Sequence, residues 1–88
     1  MERDKRLVFE LLTDIQDLEG LHGVDERNLE ANREKDRFDE ADFYHLNLLL
    51  SGGFIAAEIE EATGMLTYRL TWSGHDLIEQ LQVEIFKI

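Results

Sequence analysis

Between Tyr44 and Ile55 the chain reads YHLNLLLSGGFI, a helical run broken by two adjacent glycines and followed at once by residues that favour strands. Glycine adopts the left-handed backbone conformation without a steric penalty, so Gly52-Gly53 is where this helix stops. Two β-compatible runs follow, FIAAEIE (Phe54–Glu60) and MLTYRLTW (Met65–Trp72), joined by EATG. In the second, Met65, Thr67, Arg69 and Thr71 alternate with Leu66, Tyr68, Leu70 and Trp72, the period of a half-buried strand. Thr63-Gly64 supplies the turn, which makes the pair a hairpin. Tyr68 and Trp72 share the apolar strand face and are expected in the core. A helix running directly into a hairpin requires both to cover one core, so the chain is expected to be α+β.

Asp39 suits the N-cap of this helix, with Asp42 three residues on as its capping-box partner. The helix, from Glu40 to about Ser51, is apolar on nearly every side. Phe43, Leu46, Leu49 and Leu50 form one broad face, and Ala41, Tyr44 and Leu48 form a second. Such a helix lies between other helices or offers its second face to a partner. Upstream, Leu7, Val8, Leu11, Leu12, Ile15 and Leu18 recur at helical spacing, giving a first helix near residues 3–19 that ends at Gly20 and Gly23. Phe9 points off that stripe, toward another element or a partner. Residues 24–38 are polar and fit either a short strand over 28–32 or a loop, with a short helix as a further alternative.

A last helix starts at a cap on Ser73 or Thr71, where Asp76 would stand at the third helical position from Ser73. Leu77, Ile78, Leu81, Ile85 and Ile88 share its inner face, and Val83 and Phe86 lie off it. This apolar end docks on its own core or on a second copy. The order of helix, polar segment, central helix, hairpin and C-terminal helix is that of a winged-helix-like domain, here a single domain over residues 1–88.

Composition narrows the chemistry. The chain has no cysteine, so disulfides and thiolate metal sites are excluded, and a cytoplasmic setting is the natural expectation. No apolar run reaches the length of a membrane span, and MERDKRLVFELL does not resemble a signal peptide. His22, His45 and His75 fall on separate elements without a metal-ligand spacing. No phosphate loop, nucleophile elbow or paired acid and base is present, so neither an enzyme nor a cofactor site is expected.

Charge is the strongest functional signal. Twenty acidic and nine basic residues leave a net charge of −11. Residues 1–37 carry 7 bases and 11 acids, and residues 38–88 carry 2 bases and 9 acids. No Lys or Arg lies between Arg37 and Arg69. A winged helix holds DNA by bases on its central helix and wing. Here those positions are neutral or acidic, so nucleic-acid binding by that face is disfavoured.

Two stretches, YHLNLLLSGGFI and YRLTWSGHDLI, resemble a family of small proteins of unknown function found in phages, prophages and bacteria. Tyr44, His45, Leu46, Leu48, Leu49, Gly53 and Ile55 follow its first motif, and Arg69, Leu70, Thr71, Trp72, Gly74 and His75 its second. Arg3, Asp4 and Leu7 follow its opening. The C-terminal QLQVEIFKI departs from it by lacking a tryptophan-containing tail. The resemblance implies a winged-helix-like fold and a mobile-element origin, and no activity.

These features lead to the expectation of a protein-binding module whose acidic surface engages a basic partner. The sharper form is an inhibitor that mimics nucleic acid and blocks a basic site on a host or defence protein. Its contact residues would be Asp39, Glu40, Asp42, Glu58, Glu60 and Glu61, with Tyr44 and Leu48 as an apolar surface. The alternative is a transcriptional regulator that binds DNA as a dimer through Arg27, Arg33, Lys35 and Arg37. A homodimer through the last helix fits either reading.

Overall fold

A computed structural model describes residues 1–86 of the chain. The elements run α1 (Lys5–Leu18), β1 (Val24–Asp25), α2 (Glu26–Asn32), α3 (Glu40–Ser51), β2 (Ile55–Ile59), β3 (Leu66–Leu70) and α4 (Trp72–Phe86). The described residues therefore form an α+β domain of four helices and one antiparallel sheet of order β1-β3-β2. The helix, polar segment, central helix, hairpin and last helix follow one another in the expected order.

The apolar stripe of α1 makes the centre of the core. Leu11, Leu12 and Ile15 are fully buried, joined by Val8, Leu29, Leu46, Leu49, Ile55, Tyr68, Ile78 and Leu81. Each such side chain contributes roughly 1.5–3 kcal/mol through burial. Asp4 caps α1, its carboxylate accepting the backbone N–H groups of Arg6 at 3.0 Å and Leu7 at 3.2 Å. Phe9 leaves the stripe to meet Phe86 of α4 edge-on, with ring centroids 5.4 Å apart. The apolar end of α4 thus docks on its own domain. Ile88, expected on the same face, lies outside the described residues.

The polar segment differs from both of its leading expectations. Residues 28–32 are helical, within α2, and the short strand lies upstream at Val24 and Asp25, paired with Tyr68 and Thr67. Asp25 explains the switch, because its carboxylate accepts the Asn28 N–H at 2.7 Å and starts the helix. Leu29 alone anchors α2 in the core. Because β1 is only two residues long, it leaves the Leu70 N–H without a strand partner. The Glu19 carboxylate accepts that N–H instead, at 2.7 Å.

Asp39 and Asp42 form the expected capping box at the start of α3. At its end Gly53 takes φ +77°. Phe54 N–H then reaches the Leu49 carbonyl at 2.9 Å and Gly53 N–H the Leu50 carbonyl at 3.1 Å, the double bond of a Schellman stop.

At the junction of β3 and α4 the second of the two expected caps is the one formed. Thr71 is the cap, since its hydroxyl accepts the Gly74 N–H at 3.1 Å and donates toward the carbonyls of Gly53 at 2.6 Å and Phe54 at 3.0 Å. Asp76 consequently takes no part in the cap. One hydroxyl ties the stop of α3, the start of β2 and the start of α4 together. Gly74 permits this, because a Cβ there would stand 2.1 Å from the Phe54 carbonyl oxygen. The turn also overturns the core assignment of Trp72. The strand ends at Leu70, and Trp72, as the first residue of α4, projects into solvent with 85% of its surface exposed.

Candidate interaction surface

The hairpin carries the clearest unpartnered surface. In its register Ile55, Ala57 and Ile59 face Leu70, Tyr68 and Leu66, so these six side chains share the inner face of the sheet. Near the core that face is covered, with Ile55, Tyr68 and Leu70 buried. At the tip it extends beyond the helices, leaving Ile59 67% and Leu66 37% exposed. Glu58, Glu60 and Glu61 lie at the same end of the hairpin and are all exposed, Glu58 on the opposite face of the sheet. Arg69, the one base of the hairpin, lies 3.4 Å from Glu58 across the outer face. Deeper in, the Tyr68 hydroxyl donates to Glu26 at 2.9 Å. Burial pushes the Tyr68 hydroxyl pKa up, and the carboxylates of Glu26 and Glu30 push it the same way.

The α3 residues expected to join the hairpin acids divide into three groups. Asp39 and Glu40 are exposed on the first turn. Asp42 is not available to a partner. It is fully buried, its carboxylate accepting a 2.6 Å bond from Lys35 and a 3.1 Å bond from the Asp39 N–H. Its other oxygen faces Arg33 Nε at 3.9 Å, beyond hydrogen-bond reach. Tyr44 is half-buried and edge-on to His45, and Leu48 is half-buried on a different side. Phe43, read as part of the buried face, is more open than either and packs edge-on against Phe38 with centroids 5.7 Å apart.

Two of the four bases assigned to DNA contact in the alternative reading are engaged by acids of the domain itself. Arg33 reaches Asp14 at 3.2 Å and Glu10 at 3.4 Å, and Lys35 reaches Asp42 and, at 3.2 Å, Asp39. Asp42 beside it holds the Lys35 ammonium pKa above its ordinary value. A hydrogen bond from the Asp42 N–H, aided by Lys35, holds the Asp39 carboxyl below its own. Partial burial pushes Asp14 up despite the facing Arg33. Arg27 and Arg37 are exposed.

His45 is buried and serves the fold. Its Nδ1 lies 2.7 Å from the Ala41 carbonyl, and its Nε2 accepts the Asp4 N–H at 2.8 Å. The neutral ring protonated at Nδ1 satisfies both contacts. His75 is exposed, 3.3 Å from Gln16. Among the described residues no three His, Asp or Glu side chains converge on a point that a metal ion could occupy.

Leu48 belongs to a second feature, a groove of about 240 Å³ between α1, α3 and α4. The individual residues gave no sign of it, because its walls come from three elements far apart in sequence. Trp72 and the Ile59–Leu66 overhang were also hidden. Periodicity places a residue on a face but not beyond the edge of the core. No helix among the described residues is long and apolar enough to cross a membrane. Compared with known proteins, the chain matches no family, no curated protein and no solved structure.

Proposed function

We propose that the chain is a winged-helix-like, non-enzymatic module that binds a basic protein through its hairpin tip. Its acidic wing occupies a site that nucleic acid would otherwise fill, as expected of an inhibitor carried by a phage or other mobile element. The observation that carries this reading is the tip itself. Ile59 and Leu66 form an exposed apolar pair on the inner face of the tip, Glu58, Glu60 and Glu61 are exposed at the same end of the hairpin, and the single nearby base is engaged by Glu58 on the outer face. An apolar centre with a charged rim is the usual anatomy of a protein interface. Phosphate would be repelled there, whereas a lysine- or arginine-rich surface with a protruding apolar side chain would be drawn in and seated.

The alternative of a dimeric DNA-binding regulator draws less support. Two of its four bases, Arg33 and Lys35, are directed onto Asp14, Asp42 and Asp39. Among the described residues a dimer through α4 would have Trp72, Val83 and Phe86 as exposed large apolar contacts, scattered along the helix, since Ile78 and Leu81 are buried within the domain.

The test has two parts. Purified protein mixed with duplex DNA at low salt is expected to give no mobility shift. A column of the protein is expected to retain a basic protein from host lysate that added DNA competes away, and E60K/E61K is expected to lose it. A salt-sensitive DNA shift abolished by R27Q/R37Q would instead establish the regulator.

A further inference from the structure

The groove between α1, α3 and α4 has a chemistry opposite to that of the rest of the surface. Val8, Leu49, Phe54, Leu77 and Leu81 form its walls, with Leu48 at the side. At its mouth stand Arg3 and Lys5, two of only nine bases in a chain of net charge −11. Glu84 is the one acid there, and it is held by Lys5 at 3.0 Å. Hydrogen bonding to Lys5 keeps the Glu84 carboxyl below its ordinary range. Arg3 makes no hydrogen bond or ion pair among the described residues, although its charge acts on Glu84, so the mouth keeps a guanidinium with its donors available beside an apolar recess.

We infer that this groove binds a small amphiphilic carboxylate, its hydrocarbon portion between α3 and α4 and its carboxylate on the Arg3 guanidinium. A guanidinium can grip a carboxylate with two parallel hydrogen bonds, which the Lys5 ammonium, already bonded to Glu84, does not offer. At about 240 Å³ the groove is smaller than the roughly 300–1,000 Å³ typical of drug-sized sites, which points to a short chain or single ring. The surrounding negative charge adds selectivity. It repels polyanions, so a ligand with one charge and a large apolar part is favoured over a phosphate or a nucleotide. The site is separate from the hairpin tip and does not depend on the function proposed for it.

Sodium octanoate is the probe, titrated into the full chain by calorimetry, with 1-octanol as its uncharged counterpart. Methyl NMR shifts report the location. The expected result is saturable binding of one octanoate per chain, with shifts at Val8, Leu77 and Leu81 and weaker binding of octanol. Arg3→Gln is expected to weaken octanoate about tenfold while leaving octanol unchanged. Leu77→Phe, which fills the recess, is expected to block both, and circular dichroism checks that this variant stays folded. Absence of saturable binding would overturn the inference. So would shifts centred on Ile59 and Leu66, or equal binding of octanol and octanoate that R3Q does not change.

Discussion

At the scale of single residues, the LTWSGH stretch separates side chains that build the fold from one that does not. Leu70 is buried, Thr71 bonds three backbone groups, and Gly74 allows the Phe54 carbonyl to approach. Trp72, between them, supports nothing in the domain. Gly74→Ala is therefore expected to cost about 2–3 kcal/mol, because the backbone shift that relieves the clash would break the Thr71 bonds. Trp72→Ala should change stability by less than about 0.5 kcal/mol. Urea unfolding of the two variants measures both. The sequence favours Ser73 as the cap, because Asp76 stands where its capping-box partner would be, with Thr71 as the alternative. The choice between them depends on the contact of α4 with the start of β2, which is tertiary and leaves no local signal.

At the scale of elements, the legibility of each follows its length and its apolar content. The stripe from Leu7 to Leu18 and the capping box at Asp39 announce α1 and α3 within one residue or two of their observed ends. Helix α2 has seven residues and one buried apolar side chain, too few for a period to show. What holds it is polar. Asp25 starts it, the Glu30 carboxylate accepts the Phe38 N–H after it, and Arg33 and Lys35 join its end to α1 and α3. Asp42 enters that arrangement through Lys35, and its burial is not legible in the sequence because a capping carboxylate is normally solvated. Asp42→Ala would remove the shorter of the two ion pairs of Lys35 and the carboxylate that accepts the Asp39 N–H in the capping box, leaving Lys35 on Asp39 alone. Its expected cost is about 3 kcal/mol, measured by thermal or urea unfolding, with α2 the first element to lose amide-exchange protection.

At the scale of the whole molecule, the count of charges was legible and their pairing was not. Asp39 and Glu84 have carboxyls held below their ordinary values of 3.8 and 4.5 by hydrogen bonds and by Lys35 and Lys5. Each contributes stability that is complete above those values and is lost as pH falls through the lower folded-state value. Asp14 acts in the opposite sense, since its carboxyl lies above 3.8 in the folded chain and gains stability on protonation. The expected acid limb is a loss of stability below about pH 4, shallower in D39N and E84Q and steeper in D14N, read from urea midpoints across that range. One further consequence concerns the order in which the chain is made. Phe9 meets Phe86, and Lys5 meets Glu84, so one side of the first helix finds its cover only in the last. During synthesis the cover of this helix stays incomplete until α4 has emerged, and a message cut short within the hairpin would yield a sticky fragment for proteases and chaperones to clear.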